Sequence, residues 1–214
     1  MNRVRGLSGV NSYARELGFE PFEWLVGRGR GLGVDGGVGW LDVCCGAGLA
    51  LLEAERRFVE EAPEVDVALV GVDLVDYFGA SARSGRLSLV AQSAGEFRAE
   101  RDFDLVTCVH GLHYVGDKLG LIGRLVALLG VDGLFVADFD VELVWEVGGR
   151  SAARRVLGAL RRAGVEYDRR RHRISCTGAR VLEFGGRYLG ADDAVGAGYT
   201  GQAAVRSYYE WLGA

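Results

Sequence analysis

The chain has 214 residues, 49% of them hydrophobic, and a net charge of −4. That length suits one domain with small additions, and that apolar share is ample for a packed core. No run reaches the ~18 consecutive apolar residues a membrane span needs, and the cysteines at 44, 45, 108 and 176 form neither a C-x-x-C pair nor a disulfide framework.

An acidic total argues against a general nucleic-acid binder. The basic start, Met1 to Arg5, is followed by no apolar signal segment, so a cytoplasmic protein is expected. Basic residues are almost all arginine, with Lys118 the only lysine. The densest basic cluster, Arg169 to Arg173, reads as a solvated strand edge or hairpin.

Asn11 to Leu17 and Pro21 to Val26 read as short helices, the second with Pro in its first turn. Phe19, Phe22, Trp24 and Leu25 give them an apolar face, and Gly27 to Gly37 reads as a flexible loop. Residues 1–38 are therefore expected to be an N-terminal helical cap, and 39–214 the main domain. A strand, Gly39 to Cys44, is apolar except for Asp42. It runs through Gly46 and Gly48 into a helix from Leu49 to Ala62, where Leu51, Leu52, Phe58 and Val59 recur at helical spacing.

Further strands are expected at Val65–Val72, Leu87–Ala91, Asp104–Val109 and Gly133–Asp138, with a short helix over Val75–Ser84. Asp117 can cap a helix carrying Leu119, Ile122, Leu125, Val126 and Leu129, and Gly130 and Gly133 bracket a turn after it. Ser151 is expected to cap a helix through Ala163. Val165–Cys176 and Arg180–Gly190 read as two long strands, followed by a polar loop over 191–202 and an aromatic segment with Tyr208, Tyr209 and Trp211. Strands alternating with helices predict an α/β fold, a Rossmann-like three-layer sandwich around a mostly parallel sheet, with the closing strand pair added antiparallel at one edge. Ligands of such sheets bind at the carboxyl ends of the strands, so the loops after Cys44, Asp73, Ala91, Val109 and Asp138 are the ones to inspect.

The turn after the first strand leaves backbone N–H groups facing that crevice. It is not the phosphate loop of an NTPase, because no Gly-Lys-Ser/Thr follows, and Leu51 stands where a dinucleotide fingerprint has its third glycine. Asp42-Val43-Cys44-Cys45-Gly46-Ala47-Gly48 resembles instead the first motif of the class I S-adenosylmethionine-dependent methyltransferases. Gly71-Val72-Asp73-Leu74, ending the second strand, is similar to that family's ribose motif. Phe103 to Tyr114 is similar to its post-strand-four motif, including the Leu112-His113 pair, and Gly130 to Asp138 to its fifth-strand segment. These motifs stand in order over residues 39–140, and the resemblance implies a seven-stranded sheet and S-adenosylmethionine as cofactor.

The resemblance also implies roles. Asp42 would lie near the methionine amino group, directly or through water. Cys44, Gly46 and Gly48 would line the methionine portion, the glycines by letting backbone approach it. Asp73 would bind the ribose and Leu74 the adenine. Ser93 and Ala94 stand where many members have an acid and a small residue near the adenine N6, so Gln92 could serve there. His110 would line the sulfonium region. Tyr13 or Tyr114 could sit over the sulfonium, or simply pack.

Methyl transfer needs alignment, and a hydroxyl or weakly acidic nucleophile also needs its proton removed. His113 is the candidate base or substrate-orienting group, with a structural role beneath the loop as the alternative. Glu142 and Glu146 are other polar groups at the pocket mouth. A zinc site from Cys44, Cys45, Cys108 and His110 is disfavoured, since no C-x-x-C anchors it. The Pro-Pro-aromatic motif of amino-group nucleic-acid methylases is absent, the chain having only Pro21 and Pro63. The expected partner is a small-molecule acceptor, methylated on N or O, with no membrane, nucleic acid disfavoured and a homodimer left open. A non-catalytic S-adenosylmethionine-binding protein and a nicotinamide-dependent oxidoreductase are the competing readings.

Overall fold

Val38–Val43 forms β1, and every one of its six residues is buried. Strands covered on both faces read as continuous apolar runs, which is why β1 is legible despite Asp42. The structure, a computed structural model, describes residues 5–32, 36–78, 84–193, 196 and 203–211. The fold is α/β with seven strands in a mostly parallel sheet and four more in a second sheet, and the chain divides into two compact units, Met1–Val109 and His110–Ala214.

The first unit opens with α1 (Tyr13–Leu17), capped by the Ser12 hydroxyl, and α2 (Pro21–Leu32). After β1 come α3 (Leu49–Glu61), β2 (Val67–Asp73), β3 (Leu87–Ala91) and β4 (Phe103–Cys108). The order is β3-β2-β1-β4, all pairs parallel, with Asp42 opposite Gly71 on one side and Thr107 on the other. Leu7, Tyr13, Phe22, Leu25, Trp40, Leu51, Phe58 and Leu69 form its core.

Two expectations in this unit need correction. Of the stretch Gly27 to Gly37 expected as a loop, Gly27 to Leu32 instead continue α2, and residues 33–35 lie outside the described residues. A Cβ on Gly29 would stand 2.6 Å from a Val65 methyl, so the missing side chain lets the helix approach that residue. Arg28 pairs with Asp104 at 2.7 Å and Arg30 with Glu64 at 2.7 Å, which ties down the turns that glycine weakens. The helix expected over Val75–Ser84 is irregular from Leu74 to Phe78; residues 79–83 lie outside the described residues.

The second unit begins with a 3₁₀ turn, Leu112–Tyr114, and α4 (Lys118–Ala127), capped by Asp117 as expected. β5 runs Leu129–Asp138, without the turn expected between Gly130 and Gly133. β6 (Val144–Glu146), β7 (Arg150–Ser151), α5 (Ala153–Arg162), β8 (Glu166–Asp168), β9 (Arg173–Thr177), β10 (Gly186–Asp192) and β11 (Arg206–Trp211) follow. Ser151 lies in β7 but still accepts from the Ala153 N–H at 3.3 Å.

The long strand expected over Val165–Cys176 is a hairpin, broken at Arg169–His172, where His172 has φ 47° and Asp168 accepts the Arg170 and Arg171 N–H groups. β9 pairs antiparallel with β5 and with β8. β10 is not its partner: it pairs with β11 in the second sheet, ordered β10-β11-β6-β7.

Candidate active site

In a strand, residues two apart share a face, so Trp40 and Asp42 point the same way from β1. The parallel register brings Thr107 of β4 opposite Asp42. Thr107 donates its hydroxyl to Asp42 Oδ1 at 2.6 Å and accepts from the Trp40 indole N–H at 2.8 Å. Tyr13, from α1, donates its hydroxyl to Asp42 Oδ2 at 2.7 Å. Both carboxylate oxygens therefore hold a hydroxyl, and Asp42 is 1% exposed. Burial pushes its carboxyl up to about 7, against the two hydrogen bonds that favour ionisation. The same burial and the neighbouring Asp42 push the Tyr13 phenol well above its usual range.

The turn after β1 is a run of left-handed residues, Cys44 (φ 58°), Gly46 (62°) and Gly48 (70°). Cys44 is half-buried, Cys45 is buried, and desolvation followed by the Asp42 and Asp73 charges keeps the Cys45 thiol protonated. Asp73, at the end of β2, accepts the Gly46 N–H at 2.8 Å on Oδ2 and the Val75 N–H at 3.2 Å on Oδ1. One carboxylate thus links the glycine turn to the loop after β2. Beside it the Leu74 side chain is 73% exposed. In the loop after β3, Gln92, Ser93 and Ala94 are half-buried, and the Ser93 hydroxyl accepts the Gly95 N–H at 3.3 Å.

In the second unit, His110 sits at φ 52° and donates its backbone N–H to Asp138 Oδ2 at 3.1 Å, with its Nδ1 3.6 Å from the same oxygen. Arg173 Nε lies 3.5 Å from the other Asp138 oxygen. The His110 and His113 rings are 6.2 Å apart. His113 is 1% exposed; burial, then the charges of His110 and Lys118, push its imidazole down to about 4, so the ring is neutral at pH 7. Tyr114 is 44% exposed, whereas Tyr13 is buried against Asp42 and packs edge-on to Trp40 at 6.1 Å. Glu142 follows β5, and Glu146 accepts from Arg155 at 2.6 Å.

A methyltransferase-domain family matches residues 34–161. The chain belongs to that family. Its motif order had identified it as a class I S-adenosylmethionine-dependent methyltransferase, and the family match agrees. Among solved structures, this methyltransferase is similar to the amino pentose methyltransferase CalS10 of Micromonospora echinaspora, determined with S-adenosylmethionine bound. That likeness is 24% identity over 58% of this chain and 52% of that one, at a TM-score of 0.40. The plantazolicin methyltransferase BpumL is 14% identical over 58% of this chain and 48% of its own, at a TM-score of 0.42. The [4+2]-cyclase SpnF is 19% identical over 60% and 46%, at 0.42. The methyltransferase spans about half the length of these structures. No curated protein matches it.

The residues present fit the cofactor of this class. Each Asp73 carboxylate oxygen carries one backbone N–H and keeps lone pairs for a vicinal diol. An exposed apolar side chain, Leu74, stands next to it for a base. At Gly48, where an added Cβ would lie 3.0 Å from Leu89, the turn has room for backbone only. Thr107 and Trp40 escaped the sequence reading, although Thr107 is the one hydroxyl in the apolar run Leu105–Val109 and so the natural partner for a buried strand acid.

Proposed function

We propose that the chain is an S-adenosylmethionine-dependent methyltransferase acting on a small-molecule acceptor by N- or O-methylation. The observation that carries the reading is the Asp73–Gly46 hydrogen bond, which holds a carboxylate at the glycine turn beside exposed Leu74. Asp73 binds the ribose hydroxyls and Leu74 the adenine, with Ser93, Ala94 and Gln92 at the base edge. Cys44, Gly46 and Gly48 line the methionine portion. Asp42 acts from beneath: each of its oxygens accepts one hydroxyl and keeps lone-pair capacity for an amino group, directly or through water.

When bound, S-adenosylmethionine supplies an electrophilic methyl group on a sulfonium. The chain's part is orientation and exclusion of water. His110 lines the sulfonium side, held by Asp138. His113 is the orienting group of this loop; its neutral, buried imidazole is a weak proton acceptor at pH 7. The protein works in the cytoplasm, and among the described residues no helix is long and apolar enough to cross a membrane. Calorimetric titration with S-adenosylmethionine, against NAD and NADP, tests the reading. Micromolar binding lost in Asp73→Ala is expected; no binding, or tighter binding of NAD, would overturn it.

A further inference from the structure

Lys118 is the chain's only lysine, every other cationic side chain being arginine, and it is 1% exposed. Its ammonium donates to the Val115 carbonyl at 2.7 Å, the Val205 carbonyl at 2.6 Å and the Ser207 hydroxyl at 3.0 Å. Those are all three of its protons. An arginine could not replace it, because the guanidinium is a broad planar fork and these oxygens converge on one nitrogen.

The oxygens come from two places. Val115 follows the 3₁₀ turn in the loop after β4, Val205 directly precedes β11 and Ser207 is the second residue of that strand. Around the ammonium the same two segments are joined again: the Val205 N–H donates to the His113 carbonyl at 2.8 Å, and the Ser207 hydroxyl to the Gly116 carbonyl at 2.6 Å. One turn further on, the Tyr209 hydroxyl donates to Asp117 at 3.0 Å and accepts the Leu119 N–H at 3.0 Å. The loop that carries His110 and His113 is therefore shaped by a strand some 90 residues later in sequence.

We propose that Lys118 is a positioning residue for methyl transfer: its ammonium fixes the His110–Gly116 loop by clamping it to the start of β11. The proposal rests on the methyltransferase reading, because it gives that loop a place beside the reacting groups. The charged and titratable groups around the clamp are Asp117 and His113 on its own side, Asp140 after β5, and Tyr209 on β11, whose phenol burial pushes well up. Among the described residues no carboxylate touches the ammonium itself; its partners there are two carbonyls and a hydroxyl. The clamp thus depends on shape as well as on charge.

The test compares three full-length variants. Lys118→Met keeps the volume and removes all three bonds, Ser207→Ala removes one, and Tyr209→Phe removes β11 contacts without touching the ammonium. Nitrogen-15 NMR of the chain's three histidines reports the loop without any cofactor, and titration with S-adenosylmethionine reports the site. In Lys118→Met, the His113 signals shift and titrate upward from about 4 towards the ordinary histidine range, and S-adenosylmethionine binds about tenfold more weakly. Ser207→Ala moves both readouts the same way by less, and Tyr209→Phe leaves both near wild type. If Lys118→Met does not fold, Ser207→Ala against Tyr209→Phe decides on the same criteria. Unmoved His113 signals in Ser207→Ala, which keeps the Lys118 charge, or equal shifts in Tyr209→Phe, would overturn the proposal. A wild type that binds no S-adenosylmethionine would overturn the function instead, leaving the His113 readout to judge the clamp alone.

Discussion

The first unit buries an acid, Asp42, beneath two hydroxyl donors, whereas the second buries bases, His113 and Lys118, the latter beneath three oxygen acceptors. In both, burial opposes the charge, and it acts in opposite directions on acid and base: Asp42 rises to about 7 while His113 falls to about 4 and Lys118 to about 7. The contrast shows that the same desolvation can make one half of a chain prefer acid and the other prefer base. It also marks where each half places its cost, under the first strand turn in one and under the loop after β4 in the other.

The largest expected effect is therefore a cancellation. Asp42 is raised on folding, so its stabilisation is full below its unfolded pKa of about 3.8 and is lost as pH rises to about 7. His113 is lowered, so its contribution is full above about 6.5 and is lost as pH falls to about 4. Each is worth up to a few kcal/mol, at about 1.4 kcal/mol per unit. Between pH 4 and 6.5 the two slopes oppose. Calorimetric melting should show stability rising with pH across that window in Asp42→Asn and falling in His113→Gln, with wild type flatter than either. Identical pH curves for Asp42→Asn and wild type would remove Asp42 from the account.

Next in size is Gly71→Ala, which probes how tightly the first unit is built around its acid. Gly71 is opposite Asp42 in β2, and a Cβ there would meet Leu89 at 2.6 Å, Leu51 at 2.7 Å and the Cys45 sulfur at 3.0 Å. All three neighbours are held in β3, α3 or the glycine turn, so the strain falls on the site. A loss of about 1–3 kcal/mol is expected, read from urea midpoints. Tyr13→Phe is of similar size, removing one of the two donors on a buried carboxylate at about 1.5–3 kcal/mol above pH 7 and less below it, where Asp42 is protonated. Equal losses at pH 5 and pH 8 would mean that Tyr13 acts by packing alone.

These contrasts also explain what could be read in advance. β1 to β4 were legible within about two residues; β1 in particular is buried at every position and so reads as a near-continuous apolar run. The Asp42, Gly46 and Asp73 positions came from motif order, but their bonding did not. That Asp42 is held by Thr107 depends on strand register, and that Asp73 accepts from Gly46 depends on the turn, neither of which local pattern encodes. In the second unit the signals were weaker. β6 and β7 have three and two residues, too short to show a period, and β6 pairs with β11 across more than sixty positions of sequence. Arg169 to Arg173 read as a strand edge or a hairpin, and it is the hairpin, with left-handed His172 turning the chain; only the single long strand over Val165–Cys176 was wrong. Lys118 was noted only as the odd lysine, since a clamp to β11 exists only in three dimensions.

The smallest prediction compares a feature that both units share. Cys44 in the first and His172 in the second are non-glycine residues in the left-handed region, at φ 58° and 47°. That backbone costs an L side chain about 1 kcal/mol or more, which glycine would not incur. Glycine, however, adds about 0.4–1 kcal/mol of conformational entropy to the unfolded chain. Cys44→Gly and His172→Gly should each therefore stabilise by no more than about 1 kcal/mol when only the backbone matters. The two sites part company in what the side chain does. His172 lies with its Nδ1 3.7 Å from Asp140 Oδ1, so its removal gives back part of the gain. Cys44 is a half-buried free cysteine, and its substitution should come out the more favourable of the two. A Cys44→Gly variant less stable than wild type would mean that the thiol is held in the turn by contacts worth more than the strain of its backbone.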